Sequence, residues 1–294
     1  MASEDTQRMP RWMYRPVTHG GAMREVEDVL SREGLHTVCV GARCPNKGEC
    51  FASGTATFMI MGDTCTRGCG FCAVPTGPVR PLDEGEPEAV ARAASEMGLT
   101  HVVVTSVTRD DVADGGASHF ARTIDEVRKA LPEATVEVLI PDLQGSTESL
   151  ETVFAARPDV LNHNVETVKA LYSDVRPRHE YRRSLDILSA AGKAGLLPKS
   201  GFMVGLGESP AQIGELLEDL QGAGCRFVTV GQYLQPAKDK LPVKHFWKPE
   251  EFMALEARAV SMGFEGVAAG PLVRSSYYAG QMLEQARRAG GARN

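Results

Sequence analysis

The sequence predicts an α/β protein, a partial (β/α)6 TIM-like barrel with an extension at each end. Two observations predict it. Six short, continuously apolar runs follow one another from Thr57 onward, each separated from the next by an amphipathic stretch. Unbroken apolar runs are what strands covered on both faces show. Pro87, Pro210 and Pro249 stand where amphipathic stretches begin, and Gly98, Gly195, Gly224 and Gly263 where they end, which is helix punctuation. Strands joined through helices in this way build a parallel sheet with right-handed crossovers.

In order, residues 1–20 read as an extended arm. Residues 23–33 place Val26, Val29 and Leu30 on one face and stop at Gly34, a short amphipathic helix. Residues 39–50, broken by Pro45, Asn46 and Gly48, read as irregular loop. Strands are expected over 57–61, 101–106, 135–140, 160–164, 199–205 and 226–233. Helices are expected over 87–97, 117–131, 148–154, 181–194, 210–223 and 249–262. Residues 266–269 form one more short apolar run, and a last helix is expected over 277–288. The chain divides accordingly into an N-terminal extension (1–56), the barrel (57–265) and a C-terminal extension (266–294). No internal repeat is visible beyond the strand–helix unit.

A length of 294 residues suits a single barrel domain. A hydrophobic share of 43% with 24% charged residues is ordinary for a soluble globular chain. The net charge of −6 argues against nucleic acid or an anionic membrane as the main partner. No apolar run approaches the ~20 residues a membrane helix needs. The first residues lack an apolar core, so neither a secretory signal nor a transit peptide is expected. Seven cysteines in such a chain point to a cytoplasmic, reducing setting and to metal rather than disulfides.

Six of those cysteines fall into two triplets, Cys39, Cys44 and Cys50, then Cys65, Cys69 and Cys72. The second triplet sits among glycines on the loop leaving the first strand, where barrels of this kind place their chemistry. Three thiolates on one tight loop hold three irons of a [4Fe–4S] cube and leave the fourth open. Zinc is the competing reading, but structural zinc takes four tetrahedral ligands, typically as Cys-x2-Cys pairs. Each triplet is one protein ligand short of a full cube. Cys225, alone ahead of an apolar strand, reads as a core thiol. Asp110, Asp111 and Asp114 divide evenly between ligand contact and loop or helix capping. The basic run 175–183 reads as solvated surface, unless one arginine forms a carboxylate clamp. In the tail, Ser275 and Ser276 read first as caps of the final helix.

Cys65, Cys69 and Cys72, with Phe71 ahead of the last, resemble the radical S-adenosylmethionine (SAM) signature. The double triplet resembles the lipoyl synthase family when taken with residues 33–39, 107–111, 163–167 and the tail Arg274-Ser-Ser-Tyr277. The likeness runs from about Gly34 to Gly280. It implies a barrel of the radical SAM type and two [4Fe–4S] clusters. Cys65, Cys69 and Cys72 would hold the cluster that cleaves SAM. Cys39, Cys44 and Cys50 would hold an auxiliary cluster completed by a serine oxygen, Ser276 ahead of Ser275. A hard alkoxide is a poor match for iron–sulfur chemistry and leaves readily, as suits a cluster consumed as sulfur donor. The implied reaction inserts sulfur at C6 and C8 of an octanoyl chain on a carrier-domain lysine. Asn164 and Glu166 are the expected SAM-ribose contacts, and Arg178 or Arg182 the expected carboxylate contact. Implied partners are octanoylated lipoyl carrier domains, of the glycine cleavage H protein or of 2-oxo acid dehydrogenase acyltransferase subunits. An electron donor such as ferredoxin or flavodoxin is also implied.

Two rivals differ in class. A radical SAM methylthiotransferase carries two cysteine triplets, but places one in a separate N-terminal domain and adds a basic RNA-binding module, which an acidic chain of this length does not accommodate. A zinc-stabilised binding module is the non-enzymatic rival. Anaerobically purified protein is expected to be brown, with about eight irons per chain. A colourless protein holding two zincs by elemental analysis would establish the binding module instead.

Overall fold

The computed structural model describes residues 9–14, 21–52 and 55–291. Eight strands form one sheet in strictly sequential order. They are β1 (His36–Thr37), β2 (Thr57–Ile60), β3 (His101–Ser106), β4 (Thr135–Leu139), β5 (Val160–Asn162), β6 (Leu197–Val204), β7 (Phe227–Gln232) and β8 (Gly266–Gly270). The pairs from β2 to β8 are all parallel, and β1 adds an antiparallel edge on β2. The helices are α1 (Gly21–Arg32), α2 (Val38–Gly41), α3 (Lys47–Ala52), α4 (Glu86–Glu96), α5 (Ala117–Ala130), α6 (Thr147–Ala155), α7 (Tyr172–Val175), α8 (Tyr181–Lys193), α9 (Pro210–Gly222), α10 (Pro249–Ser261) and α11 (Ala279–Gly291).

The six expected strand–helix units are all present, with ends shifted by one or two residues. Leaving β2, Met61 takes a left-handed φ of 67°, so that strand stops one residue early. The sheet gains a strand at each edge from the extensions. Gly266–Gly270 forms β8 although glycine and alanine are poor strand formers, because β7 supplies a full parallel ladder. The stretch expected as irregular loop folds as α2 and α3. Its breakers Pro45 and Asn46 lie between them, and the Thr37 hydroxyl caps α2 at Val40 N–H (3.3 Å). Most of the arm expected over 1–20 lies outside the described residues. Arg11–Met13 make one 3-10 turn that buries Met13, and Trp12 Nε1 donates to the Trp247 carbonyl (3.3 Å).

Residues pointing alternately in and out divide the strands between two environments. Outward Val102, Val104, Val136 and Val138 are wholly buried with Phe120, Ile124 and Val127 of α5. Val228 and Val230 do the same against α9 and α10 through Leu217, Phe252 and Ala259. Inward, the barrel holds a charged layer: Lys199 Nζ donates to both oxygens of Glu137 (2.8 and 3.0 Å), and Asn162 Nδ2 donates to Glu137 Oε1 (3.1 Å). Desolvation opposes ionisation of Glu137, yet Lys199 and His101 hold its pKa below the ordinary value. The sheet curls until its two ends meet. Asn46 Nδ2, beside α3, donates to the Leu272 carbonyl beyond β8 (2.6 Å), and Thr57 of β2 donates through its hydroxyl to Ser276 Oγ (2.8 Å). Cys225 is the expected core thiol, buried and facing the Phe227 carbonyl (3.1 Å), with its pKa pushed up to about 12 by burial.

Removing one partner of the Lys199–Glu137 pair leaves an uncompensated charge in the barrel. Lys199→Met is expected to destabilise the metal-free protein by about 3–5 kcal/mol in denaturant unfolding, and Lys199→Met with Glu137→Leu to recover most of that loss.

Candidate active site

All six cysteines of the two triplets line one cavity of about 1170 Å3 inside the sheet. Cys65, Cys69 and Cys72 lie on the loop leaving β2. The loop begins at Met61, whose N–H donates to Glu86 Oε2 (2.7 Å) and whose carbonyl accepts from Arg109 Nη1 (3.0 Å). Arg67, between the first two cysteines, then clamps it. Its Nε and Nη2 donate to the two Asp110 oxygens (2.7 Å each), and Nη1 donates to Asp142 Oδ2 (2.9 Å). Asp142 accepts a second guanidinium from Arg183 (3.1 Å). Cys65 Sγ accepts backbone N–H groups from Thr108 (3.3 Å) and Arg67 (3.4 Å).

The three aspartates are structural. Asp110 takes Arg67, Asp111 takes Arg109 (2.8 and 2.9 Å), and Asp114 accepts the Gly116 and Ser118 N–H groups that open α5 (2.9 and 2.8 Å). Neither Arg67 nor Arg109 was singled out in the sequence. The signal available was an arginine inside the cysteine loop and an acid pair after β3.

The other triplet is spread over α2 (Cys39), the following turn (Cys44) and α3 (Cys50). The tail closes over it. Tyr277 and Tyr278 hydroxyls both donate to Glu49 Oε1 (2.8 Å each). The two serines do not cap α11, and they face different groups. Ser275 Oγ donates to Asn164 Oδ1 (2.9 Å). Ser276 Oγ accepts from Thr57, whose backbone also bonds the Cys39 thiol. A Cβ on Gly201 would stand 2.8 Å from Ser275 Oγ and 2.9 Å from Asn164 Oδ1, so only glycine in β6 leaves this meeting point open.

Across the cavity, Asn164 Nδ2 donates to Glu166 Oε1 (3.1 Å). Glu166 holds a left-handed φ of 73°, costly for a non-glycine residue and characteristic of functional positions. Two β6 bonds enforce it, Glu166 N–H to the Gly201 carbonyl (3.0 Å) and Met203 N–H to the Glu166 carbonyl (2.8 Å). Of the basic run, the arginine on the cavity wall is Arg176, which is 6% exposed. Arg178 is exposed, its guanidinium at the Thr66 carbonyl (3.4 Å), and Arg182 pairs with Asp186 at the surface. Neither of the expected carboxylate contacts lines the cavity. The difference is one of helical position: Arg176 follows α7, where Tyr172 and Val175 are buried and carry it inward.

Burial pushes the Cys39 thiol up to about 11, Cys50 and Cys69 up to about 12, and Cys72 upward. Burial likewise raises the Glu166 carboxyl and lowers Arg274, which faces Cys44 and Glu166. These thiols stay protonated at neutral pH without a cation to bind. Among the described residues no three Cys, His, Asp or Glu side chains converge on a position for a single metal ion. All six thiols are free and line the one cavity, the donor chemistry a four-iron cube takes, one thiolate per iron.

The Radical SAM superfamily pattern matches residues 59–220. A lipoyl synthase of Caldanaerobacter subterraneus subsp. tengcongensis is 52% identical over 284 residues, covering 96% of this chain and 99% of that one. One from Mycobacterium avium is 47% identical over 288 residues, covering 98% and 94%. The chain belongs to the lipoyl synthase family. Family members are sulfurtransferases that use SAM and [4Fe–4S] clusters. Among solved structures, methylornithine synthase superposes with a TM-score of 0.56 at 13% identity, covering 92% of this chain and 94% of that one. The [FeFe]-hydrogenase maturase HydG of Carboxydothermus hydrogenoformans gives 0.57 at 18% identity, covering 77% and 55%. These two likenesses speak for the fold alone. Among the described residues no helix is long and apolar enough to cross a membrane.

Arg67 and Arg183 hold the Asp142 carboxyl down to about 2, against desolvation. Because the folded pKa lies below the unfolded one, the stabilisation is complete above about pH 4 and is lost as pH falls through about 2. It amounts to roughly 2 kcal/mol. Asp142→Asn is expected to flatten the stability–pH curve of the metal-free protein in that window, measured by urea unfolding at a series of pH values.

Proposed function

We propose that the two cysteine triplets on this cavity wall divide the work of lipoyl synthesis: Cys65, Cys69 and Cys72 hold the SAM-binding cluster, and Cys39, Cys44, Cys50 and Ser276 hold the sulfur-donating one. The reaction is insertion of sulfur at C6 and C8 of a protein-bound N6-octanoyl-lysine. When bound, SAM and its cluster supply a 5′-deoxyadenosyl radical that takes hydrogen from those carbons, and the auxiliary cluster supplies the sulfide. An alkyl C–H has no usable acidity, so the chain's own residues bind, orient and exclude water rather than move protons.

The observation that carries this reading is that both triplets and the tail motif share a single cavity, which lets one alkyl chain reach both centres. The serine choice rests on the hydrogen bonds. Ser276 is joined through Thr57 to Cys39, while Ser275 is joined to Asn164 on the opposite side. Asn164 and Glu166 present an amide and a carboxyl side by side, the pairing suited to two ribose hydroxyls. For the SAM carboxylate we assign Arg176 in place of Arg178, since of the two Arg176 is the one on the cavity wall, and its buried Nε is left unpartnered. Carrier domains of the H protein or of 2-oxo acid dehydrogenase acyltransferases are the substrates in this reading. Ferredoxin or flavodoxin is the reductant, and the site of action is the cytoplasm, where thiols stay reduced.

The test is anaerobic incubation with SAM, reductant and an octanoyl-lysine peptide, followed by mass spectrometry. Cys69→Ala is expected to form no 5′-deoxyadenosine. Cys44→Ala is expected to form it while giving no sulfur-containing peptide. Ser276→Ala is expected to lose sulfur insertion with SAM cleavage retained; the same defect in Ser275→Ala alone would move the ligand role there.

A further inference from the structure

Behind Arg176 lies a row of buried side chains joined by hydrogen bonds. Arg176 Nη1 donates to the Asn164 carbonyl (2.7 Å) and to Tyr172 Oη (3.0 Å). Tyr172 Oη meets Ser184 Oγ (2.7 Å), Ser184 Oγ meets His163 Nε2 (2.9 Å), and His163 Nδ1 meets the Ile140 carbonyl (2.9 Å). His163 and Ser184 are each 1% exposed, Tyr172 4% and Arg176 6%.

The polarity of the row follows from its two ends. A carbonyl only accepts, so His163 Nδ1 carries the proton. Burial and the Arg176 charge push the His163 pKa down to about 3, so the ring is neutral and Nε2 accepts. Ser184 must then donate to His163, and Tyr172 to Ser184. The phenol oxygen is left with lone pairs facing Arg176, which can only donate. Every group has one role, so the order is unique. The four residues come from three places in the chain: the end of β5, the α7 region and α8. Tyr172 also stacks edge-on against Tyr181 (5.4 Å between centroids). Such a row fixes a guanidinium more tightly than packing does, because a rotated Arg176 leaves a buried phenol without its donor.

We propose that His163, Ser184 and Tyr172 form a positioning relay that aims the Arg176 guanidinium at the carboxylate of bound SAM. The inference rests on the assignment of Arg176 to that carboxylate. None of the three touches SAM; each acts through the next.

The test measures equilibrium binding of SAM and, separately, of an octanoyl-lysine peptide to the anaerobic, cluster-loaded protein, with thermal unfolding of the metal-free protein alongside. Arg176→Gln is expected to weaken SAM binding by about a hundredfold, the scale of a lost charge-assisted pair. Tyr172→Phe and Ser184→Ala are each expected to weaken it by about tenfold, the scale of one hydrogen bond, with peptide affinity unchanged. Wild-type SAM affinity in Arg176→Gln would overturn the assignment of Arg176 and the relay with it. A strong defect in Arg176→Gln beside wild-type affinity in Tyr172→Phe and Ser184→Ala would overturn the relay alone. So would a lower melting temperature with no change in SAM affinity, since that marks a structural role. If Tyr172→Phe fails to fold, Ser184→Ala decides the question.

Discussion

A buried guanidinium in the middle of the cysteine loop after β2 is the constraint on which the site depends. Arg67 sits between Cys65 and Cys69, and its donors go to Asp110 after β3 and Asp142 after β4. A loop rich in glycine has little stiffness of its own. Tied by a charged fork to the ends of two neighbouring strands, it inherits the rigidity of the sheet. Asp110 closes the arrangement by donating its own backbone N–H to Thr66 Oγ1 (3.0 Å). A charge so enclosed is tolerated because each carboxylate is matched, and desolvation of Asp142 is overcome by two arginines. The thiols gain a fixed frame, and two backbone N–H groups fix Cys65 Sγ within it.

The second centre is built on the opposite principle. Its three cysteines belong to two short helices and a turn outside the barrel proper, and they are held in place by the far end of the chain. Asn46 reaches the Leu272 carbonyl, Glu49 takes two tyrosine hydroxyls, and Thr57 bridges Cys39 and Ser276. One centre is thus embedded in the sheet and the other clasped between extensions. That contrast suits the proposed division of work, in which one cluster is kept and the other is spent.

The strand–helix alternation was legible because it is written in apolar runs and in Pro and Gly at helix ends, which are local signals. Strand β8 was not, because Gly-Val-Ala-Ala-Gly becomes a strand only through the ladder that β7 offers it. The cysteines were legible by spacing alone. Asp110 after β3 was not, since its meaning lies in Arg67, more than forty residues away. The basic run hid its inward member for a similar reason: nothing in Val-Arg-Pro-Arg tells which arginine a short helix will turn toward the cavity. Ser275 and Ser276, neighbours in the sequence, likewise show their different partners, Asn164 and Thr57, only in the fold.

The clasp between the two extensions has a consequence for how the protein is made. Cys39, Cys44 and Cys50 are made early, yet the wall that encloses them is completed by residues 272–278, which follow more than two hundred residues later. A nascent chain therefore presents three exposed thiols and no enclosure, and metal loaded at that stage would meet solvent on one side. An enclosed site at these thiols exists only once the tail has docked across Glu49 and Thr57.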